Sequence, residues 1–107
     1  MKESEWKKFK KLKALCLERF CDDVLNEATN ICKSGDKTAH QRYGDLYKLI
    51  RDKDKDLANA FDGLSRSKAF IQLMMMYSMG LVEEKQLDEF EDGTKNSVRD
   101  TVNPDDS

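Results

Sequence analysis

The 107-residue chain is 38% hydrophobic and 37% charged, with five glycines, one proline and a formal net charge of −2. That length admits one modest core, the charge balance gives no global draw toward nucleic acid, and no apolar run approaches the roughly 20 residues a membrane span needs. Met1 is followed by lysine and glutamate rather than an apolar leader, and three cysteines, an odd number, suit reduced thiols, so a cytoplasmic protein is expected.

The first predicted element starts near Ser4. From Trp6 the apolar residues Phe9, Leu12, Cys16, Leu17, Phe20, Cys21, Val24, Leu25, Ala28, Ile31 and Cys32 recur at helical steps of three and four, which makes the cysteines small core residues. It should end at "KSGDK", where Gly35 suits a left-handed helix terminus and Asp36 suits a cap for the next helix. Residues 1–13 hold six lysines against two glutamates, a local +4, and residues 83–107 hold nine acids against three bases, a local −6. Two solvated ends, or an attraction between them, follow from that asymmetry.

The second element carries the strongest periodicity in the chain. Tyr43, Ile50, Leu57, Leu64 and Ile71 lie seven apart without a gap, with Ala39, Leu46, Ala60 and Met74 on the companion position. Because the phase survives Gly63, and a helical glycine costs only about 1 kcal/mol, the pattern predicts one helix over 36–79; a restart capped by Ser65 is the alternative. A helix of that length outruns an antiparallel first helix and leaves "AFIQLMMMYSMGLV" overhanging. Apolar all round, that stretch asks for cover on more than one side.

Gly80 is a natural stop, and "LVEEKQLDEF" offers a short helix that folds back. The fold expected is therefore all-α: an antiparallel hairpin of two long helices plus a short C-terminal helix, one domain over 1–92 with a flexible acidic tail over 93–107. Cover for the overhang is expected from a second copy, giving a dimeric bundle with Phe70, Ile71, Met74, Met75 and Met79 at its interface. A monomer whose second helix breaks at Gly63 and folds back is the competing arrangement.

Candidate chemistry is thin. "DKDKDLANAFDG" begins like a calcium loop but has Leu57 where glycine should turn the chain and Gly63 where a bidentate glutamate should stand. Cys16, Cys21, Cys32 and His40 match no compact zinc spacing, and the single histidine has no serine or cysteine at a nucleophile elbow. No catalytic, cofactor-binding or metal residue is therefore expected, and no cofactor. "WKKFKKLK" interleaves Trp6, Phe9 and Leu12 with Lys7, Lys8, Lys10, Lys11 and Lys13, the pattern of an anionic-surface or phosphate contact and equally of lysines flanking a core stripe. The leading functional expectation is a non-enzymatic interaction or accessory protein; the alternative is a dimeric nucleic-acid-associated regulator using those lysines.

Overall fold

Residues 1–103 are described by a computed structural model with five helices: α1 (Glu3–Cys32), α2 (Ala39–Phe61), α3 (Arg66–Ser78), α4 (Glu84–Leu87) and α5 (Asp92–Val102). Among these residues there is no strand, and no helix is long and apolar enough to cross a membrane. Phe9, Leu12, Cys16 and Phe20, at steps of three and four, form the buried face of α1. The expected first helix is thus present, starting at Glu3, with Glu3 and Glu5 at its electropositive end.

The junction to α2 is built differently from the expectation. Gly35 does not take positive φ, which among the described residues only Gly63 and Gly80 do, and Asp36 accepts a hydrogen bond from Ser34 Oγ at 2.6 Å instead of capping a helix. Thr38 is the cap. Its hydroxyl accepts from the Gln41 amide at 3.1 Å while the Gln41 side chain accepts from the Thr38 amide at 2.9 Å, a reciprocal capping box.

The continuous helix over 36–79 does not form. The backbone leaves α2 at Asp62 (φ −66°, ψ 135°) and reverses at Gly63 (φ 75°), and α3 restarts after Ser65. Tertiary contacts decide the break. Gln72, almost fully buried, donates from Nε2 to the Asp62 carbonyl at 2.9 Å, and Lys13 Nζ donates to the Gly63 carbonyl, so both freed carbonyls are met from other turns of the fold. Partial burial pulls the Lys13 ammonium below the ordinary lysine value, and Asp62 nearby opposes that shift.

Folded back, α3 turns Ala69, Leu73 and Met76 into the core beside the buried stripe of α1. Met76 is then sealed by its own chain, which removes the overhang that the longer helix would have created. The C-terminus of α3 matches the expected glycine stop: Gly80 N donates to Tyr77 O and Leu81 N to Met76 O, both at 3.0 Å, the two bonds of a Schellman motif. Leu81 and Met76, the hydrophobic pair of that motif, are both buried.

Leu81, Val82, Leu87 and Phe90 close the core from the segment around α4. Arg19 holds this segment to α1, its Nη1 donating to the Leu81 carbonyl (2.7 Å) and Gln86 Oε1 (2.9 Å), its Nη2 to Glu83 (3.1 Å). Residues 93–102, which the sequence pattern leaves to a flexible tail, form α5 together with Asp92 and bury Val98 completely. Glu5 of α1, nearly enclosed, accepts from the Glu91 amide at 2.8 Å and from Thr94 Oγ1 at 3.2 Å, capping α5 from outside its own sequence. Pro104–Ser107, the rest of the expected tail, lie outside the described residues.

Phe9, Leu73, Met76, Leu87 and Val98 are the largest fully enclosed apolar side chains, each worth about 2 kcal/mol of transfer free energy. All five belong to α1, α3, α4 and α5. This base is where the chain has its core.

A polar clip adds to it. Tyr77 Oη donates to Glu84 Oε1 at 2.6 Å, and Arg99 of α5 donates to Glu84 Oε2 at 2.8 Å and to Asp88 Oδ1 at 2.7 Å. The Tyr77 hydrogen bond and then Arg99 hold the Glu84 carboxyl below its ordinary value of 4.5, and Arg99 holds Asp88 below 3.8. Groups depressed on folding stabilise fully above their unfolded values and lose that contribution as pH falls through the folded ones. Acidification from above 4.5 to below 3.8 is therefore expected to loosen α5 first, seen as faster amide exchange over residues 92–102 than over α1.

Candidate interaction surface

Beyond the base, the second half of α1 and most of α2 form an arm. Phe20 meets Phe61 at 5.9 Å between ring centroids, Val24 and Leu25 share a cleft with Ile50 and Leu57, and Arg42 Nη1 donates to the Cys32 carbonyl at 2.7 Å. Along this arm, from Cys21 to Asn59, not one residue is buried. Val24, Ala28 and Ile31 of α1 and Leu46, Leu49 and Leu57 of α2 are only half-buried, because two helices offer each other a single seam with solvent on both sides.

The outer side of the arm carries exposed large apolar side chains, with Asp54 and Lys53 at the edge of the cleft between Leu25 and Ile50. Leu25 is 61% exposed, Tyr43 71%, Tyr47 62% and Ile50 46%, although Arg51 lies over the Tyr47 ring at 5.9 Å. Two shallow clefts score this side: one of about 220 Å³ walled by Cys21, Leu25, Ile50 and Leu57, the other of about 210 Å³ walled by Cys32, Ala39, Arg42, Tyr43 and Leu46. Arg42 Nε is buried there with no acceptor among the described residues. Thus Tyr43 and Ile50, heptad residues of α2, do not face the core, whereas Leu57 packs against it and Ala60 lies within it.

The residues expected at a dimer interface are divided by the fold. Phe70, Met74, Met75 and Met79 pack against the chain's own core, half-buried, and Ile71 is 56% exposed. The lysines are divided too. Lys8 Nζ donates to the Glu89 carbonyl at 2.7 Å, Lys13 is spent on the α2–α3 turn, and Lys10 sits over the Trp6 ring at 5.5 Å, leaving Lys7 and Lys11 exposed without these contacts. The oppositely charged ends do meet, with Lys2 and Glu91 3.0 Å apart.

His40 is exposed in the first turn of α2. The thiols differ in setting: Cys16 is buried, donates weakly to the Leu81 carbonyl at 3.4 Å and is pushed up to about 11 by burial, whereas Cys21 is half-buried and Cys32 exposed. Among the described residues no group of three or more His, Cys, Asp or Glu side chains is placed to hold a metal ion. Asp52, Asp54 and Asp56 of the calcium-loop-like stretch stand on exposed faces of α2.

Comparison of the chain with protein-family models, curated proteins and solved structures finds no match.

Proposed function

We propose that this is a non-enzymatic protein-protein interaction protein, in which the helical base supports an antiparallel two-helix hairpin, the arm, whose outer stripe receives a helical partner. The supporting observation is the contrast between a base that holds the fully buried side chains and 39 consecutive residues, 21 to 59, without a buried side chain yet with four large apolar groups open to solvent. Such a stripe is stabilised chiefly by what packs on it, since helices of this length draw most of their stability from tertiary contacts. Free cysteines suit a reducing, cytoplasmic setting.

In dilute solution, amides of the arm should exchange roughly 100-fold faster than those around Phe9, Leu73 and Met76, because opening the arm exposes little that was buried. Equal protection of arm and base would mean that the two helices complete each other, and the reading would fall.

A further inference from the structure

We infer that the occupant of the arm's outer stripe is the same stripe of a second copy of this chain, paired antiparallel about a two-fold axis beside Ile50 so that two arms close into a four-helix bundle. The inference rests on the reading above and names its partner.

The geometry of α2 is that of a bundle helix with one neighbour present. Its half-buried positions on the side of α1 include Arg42, Leu46, Leu49 and Lys53, and its outer stripe is Tyr43, Tyr47 and Ile50, continued at the cleft wall by the half-buried Leu57. At 3.6 residues per turn the two stripes stand roughly 90° apart, the relation between the two neighbours of each helix in a four-helix bundle. One arm supplies two of the four helices. Ile50 is the midpoint of the stripe from Tyr43 to Leu57, so a two-fold axis there sets Tyr43 of each copy against Leu57 of the other, as an isologous contact requires.

Charge favours a like partner. Residues 21–59 contain eight acids and seven bases, a net −1, and Arg51 to Asp56 alternate in sign. Two such surfaces meet with little net repulsion, whereas the +4 and −6 segments, 1–13 and 83–107, contribute no residue to the stripe. The area also suffices. Leu25, Tyr43, Tyr47 and Ile50 expose roughly 450 Å² of side chain per copy, on a scale of about 150–250 Å² for a full aromatic side chain. Doubled, and with Cys21, Leu57 and the aliphatic stems of the rim added, this reaches the roughly 1,000 Å² that is the lower threshold for a specific interface.

The test is sedimentation of the full chain over a wide concentration range, beside Ile50→Glu and Tyr47→Glu, with iodoacetamide labelling of Cys32 as a second readout. The expected result is a dimer whose dissociation constant rises about 100-fold or more in either variant while helicity and melting of the dilute protein stay unchanged. Cys32, which walls a cleft on this side, should label more slowly as the dimer forms. A monomer at every concentration overturns the inference, and the amide-exchange contrast then decides separately whether the arm awaits a different partner. A dimer indifferent to both variants also overturns it, since the copies would then meet elsewhere.

Discussion

Replacing Met76 by glutamate is expected to unfold the protein under mild conditions, whereas Ile71→Glu on the same helix should leave its stability within about 0.5 kcal/mol. Met76 is fully enclosed and Ile71 is 56% exposed, so the first change buries a carboxylate in the core cluster that includes Leu73, Leu81 and Val98, or forces α3 off the base. That costs about 4 kcal/mol or more, most of the stability a small domain possesses. Urea titration followed by circular dichroism measures both. If α2 and α3 instead ran on as one helix with the methionines shared between copies, the heptad residue Ile71 would be the sensitive position.

The second large effect concerns Glu5. Its carboxylate is nearly buried and supplies the two bonds that start α5, one from the Glu91 amide and one from Thr94. Glu5→Ala removes both acceptors and leaves a helix N-terminus without its cap, at a cost of about 2–3 kcal/mol. For a domain of this size that lowers the melting temperature by about 10 °C or more. Glu5→Gln keeps one acceptor oxygen and should lose less. Thermal melts of the three proteins decide it: equal melting of wild type and Glu5→Ala would show that α5 does not depend on this cap.

What could be read from the chain follows from the range of the interactions involved. The buried stripe of α1 and the stop at Gly80 are local patterns, in which helical spacing or one left-handed glycine settles the outcome. Thr38 and Gln41 are local too, an S/T-x-x-Q signature overshadowed by the more conspicuous Gly35 and Asp36. Gln72 and Lys13 were not legible, because their role is to hold carbonyls of a turn remote in sequence, and those two contacts turn Gly63 from a tolerated helical glycine into a break. Nor was α5, whose anchors are one valine, the Arg99 clip to Glu84 and Asp88, and a glutamate 86 residues from the amide it caps.

The heptad of α2 misled for an instructive reason. Tyr43, Ile50, Leu64 and Ile71 are in phase along the chain, yet all four are exposed, while the face of α3 that enters the core is Ala69, Leu73 and Met76. Periodicity identified an amphipathic stripe correctly and could not say which surface it meets. The candidate surface therefore shifts from the methionine-rich segment, which the chain largely covers itself, to the arm.

That division between sealed base and open arm is tested most directly by pulsed alkylation of the three native thiols in dilute, folded protein, read by mass spectrometry. Cys32 should label at once, Cys21 more slowly, and Cys16 only at the rate of global unfolding, being enclosed between α1 and the Leu81 carbonyl with its thiol held protonated. Labelling of Cys16 as fast as Cys32 would contradict the account.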